Sequence, residues 1–142
     1  MGLIRDLLLR ILLFKKRVFI WNSKNNHFQN INNIQTIKLK LIIGIDSQKE
    51  TLFTNTKNFA EGNFTNNALL WGSRGNGKST LIKSIFSNLS IKFLNLKLIQ
   101  LNKKDIFDIE KIYNKLSKFN NYRFIIFIDD LSFEKIDNEY KI

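Results

Sequence analysis

The 142-residue chain has no cysteine and no proline, and only one histidine and one methionine. Without cysteine there is no disulfide, no thiolate zinc site and no cysteine nucleophile. A single histidine, His27, cannot build a metal cluster and reads as an ordinary surface or packing residue. Long apolar runs are missing as well. The longest, residues 124–128, is five residues, against the ~18 that a membrane-spanning helix needs. Arg5, Asp6 and Arg10 interrupt the early apolar stretch, unlike a secretory signal. Asp6 stands where N-myristoylation requires Ser or Thr. A cytoplasmic protein with no transmembrane segment is therefore expected.

The formal charge is +11, from 23 Lys and Arg against 12 Asp and Glu. Such an excess can mean nucleic acid or anionic lipid. Here lysine far outnumbers arginine, and asparagine and isoleucine are abundant, as an A/T-rich coding bias alone would produce. The excess is also uneven: the first 40 residues hold eight basic residues and one acid, so +7 of the +11 lies there.

Residues 1–21 are expected to form a helix. Leu3, Ile4, Leu7, Ile11, Phe14 and Val18 make one apolar stripe at helical spacing, while Leu9, Leu13 and Ile20 spill onto the polar side. Three roles stay open: packing on its own domain or a neighbouring subunit, lying on a membrane surface, or contacting nucleic acid. Residues 22–40 are rich in asparagine and read as a linker, with a short extended segment at 36–41. Ser47-x-x-Glu50 matches a capping box, predicting a helix to about residue 60 with Leu52, Phe53, Thr56 and Phe59 inward and Glu61-Gly62 at its end. Beyond it the pattern predicts strands at 68–71, 96–101 and 123–128, and helices at 79–88 and 105–119. In the last helix Ile106, Ile109, Ile112, Tyr113 and Leu116 share a face. Alternating strands and helices define an α/β layered fold, and the run at 124–128 suits a parallel strand buried on both faces.

The chemistry concentrates in Gly72-Ser73-Arg74-Gly75-Asn76-Gly77-Lys78-Ser79-Thr80, which follows an apolar run and precedes a helical pattern. All four fixed positions of G-x-x-x-x-G-K-S match, in the strand–loop–helix setting of a P-loop. Glycines let backbone N–H groups approach phosphate oxygens, and the following helix aims its positive end at the same anion. Lys78 is expected on the β- and γ-phosphates and Ser79 on Mg²⁺. The second half is Ile125-Ile126-Phe127-Ile128-Asp129-Asp130, a Walker B pattern about 50 residues on. Asp129 is expected to hold Mg²⁺ through water. Asp130 stands where many ATPases carry a water-polarising glutamate. Asn102-Lys103-Lys104-Asp105 matches the guanine-reading N-K-x-D, but it precedes the acid pair and no D-x-x-G follows. It reads instead as a helix start at Asp105.

Several blocks together carry a family resemblance. They are Ile43-Gly44-Ile45-Asp46, Gln48-Lys49-Glu50, Asn55-Thr56, Leu69-Leu70-Trp71-Gly72, Gly77-Lys78-Ser79 and Phe127-x-Asp129-Asp130-Leu131-Ser132-Phe133-Glu134. From about Lys38 onward the chain resembles a bacterial AAA+ ATPase family, domain of unknown function 815. Asn76 and Thr80 depart mildly from the family's usual threonine and serine. The resemblance implies a three-layer P-loop NTPase with a parallel sheet over residues 41–142, ATP rather than GTP as ligand, and residues Ile43, Gly44 and Ile45 near the adenine. It also implies hydrolysis of Mg-ATP by a homo-oligomer to remodel some protein or nucleic-acid partner.

The chain stops a dozen residues past Asp130. The resembled module would continue with a sensor strand, an arginine finger and a helical lid. The expectation is an incomplete C-terminal part that binds nucleotide but hydrolyses it poorly. Two alternatives are weighed: a non-enzymatic interaction or membrane-surface module with a vestigial P-loop, using the basic helix of residues 1–21, and a P-loop kinase, for which no acceptor site or lid arginine is visible.

Overall fold

A computed structural model of the chain describes residues 2–34, 36–42, 44, 46–63 and 78–129, without the side chains of Lys78 and Asp129. The expected strand at 68–71 lies outside these residues.

The order of elements is α1 (Gly2–Lys15), β1 (Val18–Asn22), β2 (His27–Asn30), α2 (Asp46–Ala60), α3 (Lys78–Ser90), β3 (Leu96–Asn102), α4 (Ile109–Leu116) and β4 (Arg123–Asp129). Short 3-10 turns occupy Leu39–Leu41 and Lys103–Asp108. The four strands form one sheet in the order β2-β1-β3-β4. β1, β3 and β4 are parallel, and β2 is an antiparallel edge strand. The sheet is therefore mixed rather than wholly parallel.

Period-2 alternation sends neighbouring side chains to opposite faces. One face buries Val18, Leu96, Leu98 and Phe127 against Leu52 of α2 and Leu81, Ile82, Ile85 and Phe86 of α3. The other buries Phe19, Trp21, Ile99 and Leu101 against Leu13 of α1 and Ile112 and Leu116 of α4. Helices thus cover both faces, giving three layers. The expected strand bounds at 96–101 and 123–128 each extend by one residue, to Asn102 and Asp129, and the expected helix at 79–88 spans Lys78–Ser90.

The N-terminal quarter differs most from the sequence reading. The helix of residues 1–21 ends at Lys15, and Val18-Phe19-Ile20-Trp21 joins the sheet instead. These four are β-branched or aromatic residues that fit a pleated surface. Val18, Phe19 and Ile20 pair in parallel with Leu98, Ile99 and Gln100. The asparagine-rich linker of residues 22–40 opens as a hairpin. The Asn22 carboxamide accepts the N–H groups of Lys24 (3.0 Å) and Asn25 (3.2 Å), and Asn26 takes φ 51°. That is asparagine acting as a turn former rather than as a spacer. The segment expected to be extended at 36–41 closes in a 3-10 turn at Leu39–Leu41.

Within α1 the stripe read from spacing is the outward side. Leu13 is buried and Leu9 and Leu12 pack beside it, whereas Leu3, Ile4, Leu7, Ile11 and Phe14 face outward. The helix is apolar on two sides, and the narrower side, which must fit between β1 and α4, wins the core. The helix expected at 105–119 splits into the 3-10 turn and α4; Ile112 and Leu116 are buried, but Ile109 and Tyr113 are exposed.

α2 starts at Asp46, one residue ahead of Ser47, so Ser47 lies inside the helix rather than capping it. Its end is a Schellman turn: Gly62 adopts φ 92°, its N–H reaches the Phe59 carbonyl (3.0 Å), and the Asn63 N–H reaches that of Asn58 (3.0 Å).

Candidate functional site

The five residues between α3 and β3 make a tight turn. Phe93 N–H reaches the Leu89 carbonyl at 2.9 Å and Leu96 N–H the Phe93 carbonyl at 3.1 Å. The chain then runs back beneath the helix that preceded it. α3 is therefore antiparallel to β3 and β4, and its N-terminus shares an edge of the sheet with the carboxyl ends of both strands. β3 and β4 stay in register to their last pair, Asn102 beside Asp129. Lys78 opens α3, and Ser79 and Thr80, both half-buried, sit in its first turn. The first four N–H groups of an α-helix have no partner inside the helix, and the first turn of α3 faces the edge of the sheet at which β4 ends in Asp129.

Other candidate residues are placed less fully. Ile43, Ile45, Gly72, Ser73, Arg74, Gly75, Asn76, Gly77 and Asp130 lie outside the described residues. Gly44 is described and takes φ 86°. A Cβ there would meet nothing within 4 Å. Backbone conformation, rather than space, is what requires glycine at this turn.

The Gly44 segment is steered toward the start of α3. Ile31 and Ile34 pack against the cluster that holds Phe86, and line one cavity with Ser87 and Ser90 late in the helix. Further along, the Ile37 N–H donates to the Ser84 hydroxyl at 3.1 Å. The segment thus descends α3 from its end toward its first turn. Ile42 is buried in the cluster that α2 and α3 share.

Lys49 then ties the segment to α2. Its Nζ donates to the carbonyls of Leu39 (3.1 Å) and Ile42 (3.0 Å), and lies 3.4 Å from the Asp46 carboxylate. Sequence reasoning assigned Lys49 no role. The i,i+3 spacing from Asp46 signalled only the weak exposed pair. The two carbonyls it holds are visible only once the 3-10 turn is known. Asn102 was likewise set aside with the N-K-x-D match, yet its position ends β3 directly beside Asp129.

At the opposite, amino-terminal edge of the sheet a cavity of about 280 Å³ opens beside Lys16, Arg17, Asn32, Ser87 and Ser90. It stands at the far end of α3 from Lys78 and shares no residue with the candidate site. Above that edge Lys97 is almost fully buried, 3% exposed. Its Nζ donates to the Lys16 carbonyl (2.8 Å) and sits over the Tyr122 ring (5.4 Å). Burial first, and then the nearby Arg17 charge, lower its pKa from the ordinary 10.5.

Fold and edge geometry define the class: an α/β layered protein with a mostly parallel sheet, whose strand ends meet a helix N-terminus. The chain belongs to the family described as protein of unknown function (DUF815), whose model matches residues 15–142. No curated protein and no solved structure matches the chain. No helix among the described residues is long and apolar enough to cross a membrane.

Proposed function

We propose that the chain is the nucleotide-binding core of an AAA+-type P-loop ATPase that takes Mg-ATP. One observation carries the reading: the helix that follows G-x-x-x-x-G-K-S begins at Lys78 on the same sheet edge at which β4 ends in Asp129. Helix N-termini favour phosphate, and α/β sheets bind ligands outside the carboxyl ends of their strands. In this reading the backbone of residues 72–80 receives the phosphates and Lys78 neutralises them. Ser79 and Asp129 hold Mg²⁺, and Asp130 orients the attacking water. The Gly44 turn, led toward the start of α3, forms the adenine side. Hydrolysis coupled to the remodelling of a partner by a homo-oligomer is the activity this site would serve.

The test is Mg-ATP binding by calorimetry. Lys78→Ala should weaken binding by at least about tenfold, since the phosphates lose their charge-assisted partner. Equal affinity would reject the P-loop assignment. Asp130→Asn should keep binding and lose turnover; loss of binding as well would reject the division of roles.

A further inference from the structure

Six large apolar side chains of α1 face outward: Leu3, Ile4, Leu7, Leu8, Ile11 and Phe14, each between 46% and 87% exposed. At 3.6 residues per turn they span an arc of about 140°, continuous along the helix and opposite the side that Leu9, Leu12 and Leu13 press into the core. Isolated exposed apolar residues are normal, but a contiguous strip of this kind marks an interaction surface.

The rim of the strip is basic. Arg5 and Arg10 flank it, Lys15 lies within the arc and Lys16 follows the last turn, whereas Arg17 is turned away onto the Ser90 hydroxyl of α3 (3.4 Å). The one acid of the helix, Asp6, is turned aside onto Lys118, 3.4 Å away. Arg10 lies over the Phe119 ring at 5.3 Å, which holds one flank of the strip in place.

We propose that α1 lies in the surface of a membrane containing anionic lipid, its apolar arc among the acyl chains and its arginines and lysines at the headgroups. Fourteen residues make a helix of about 21 Å. That is too short to cross a hydrocarbon core of about 30 Å but well suited to lie along its boundary. Charge complementarity selects the occupant. A second copy of this chain, itself +11, would set one basic rim against another. A nucleic acid would meet six apolar side chains where phosphates require cations. An anionic bilayer satisfies both the apolar arc and the basic rim. This surface lies on the α1/α4 side of the sheet and is independent of any nucleotide at the α3 edge.

The experiment is co-sedimentation of the whole chain with vesicles of phosphatidylcholine mixed with phosphatidylglycerol, and with vesicles of phosphatidylcholine alone. Binding to the mixed vesicles is expected, weaker on pure phosphatidylcholine and weakened by added salt. The double variant Leu7→Glu/Ile11→Glu should lose at least about tenfold in affinity with an unchanged circular dichroism spectrum, because both positions are exposed. Leu94→Glu, exposed but in the turn before β3, should bind as the wild type does. Absence of binding to mixed vesicles, or equal binding by the double variant, would overturn the proposal. So would a dimer in size-exclusion chromatography that the double variant dissolves, since the strip would then be an interface between copies.

Discussion

The two faces of the sheet are covered by helices of different kinds. On one face α3 turns Leu81, Ile82, Ile85 and Phe86 inward, so its inner side can be read from spacing alone. On the other face α1 is apolar on two sides, and spacing picked out the one that faces outward. A helix with one apolar arc announces its packing. A helix with two announces only that something else covers the second. On the two proposals above the difference is functional as well as structural: α3 would serve the interior and the nucleotide site, and α1 the interior and a membrane surface.

The strongest challenge to this comparison is a pair of truncations within α1. Leu13→Ala should cost about 3 kcal/mol, in the range found for buried leucines. Leu7→Ala should stay within about 0.5 kcal/mol, as exposed positions do. Urea unfolding midpoints measure both. Equal costs, or a larger cost at Leu7, would mean that the stripe of Leu3, Ile4, Leu7, Ile11 and Phe14 is covered as well.

A second test concerns how the α2/α3 layer is fastened. Arg123 donates from Nε to the Phe59 carbonyl (2.9 Å) and from an Nη to the Asn63 carbonyl (3.1 Å), with its guanidinium 4.2 Å from the Phe59 ring centre. It thereby joins the first residue of β4 to the C-terminal end of α2, where a cation is favoured. Arg123→Ala should cost about 2 kcal/mol. Arg123→Lys should recover little of it, because an ammonium cannot reproduce the planar fork. Thermal unfolding of the two variants decides.

The smallest effect belongs to Lys97 under the α1 layer. Its folded pKa lies below the ordinary 10.5, so as pH rises the folded state releases the proton before the unfolded chain does. Stability that Lys97 withholds at neutral pH is regained as pH climbs through its lowered pKa toward 10.5. The stability of the wild type relative to Lys97→Met should therefore increase across that window in a pH series of urea melts. A flat difference would mean that the lysine is fully hydrated.

Legibility in the sequence followed the same division. Strand β4 was legible because residues 124–128 run apolar without a break, as in a strand buried from both sides, and β3 was bounded to within one residue although Lys97 and Gln100 interrupt it. α3 was legible from its single stripe. The site was half legible: the motif at residues 72–80 set the position of α3, and the run into Asp129 set the strand end beside it. β1 was missed because Val18 continued an apparent helical stripe and nothing local marked the stop after Lys15. β2 was missed because asparagines that build a turn have the same composition as a linker. Lys49 was missed because its two carbonyl partners belong to a 3-10 turn that no periodicity announces.

The Arg123 contact has a mechanical consequence. α2, about 22 Å long, and β4, about 23 Å long, share a core cluster through Leu52 and Phe127 and are tied at one end by the Arg123 guanidinium. One arm finishes at the Gly44 turn and the other at Asp129. The guanidinium that joins them sits at the opposite end of β4 from Asp129, so the fastening of α2 is one full strand away from the edge where α3 begins.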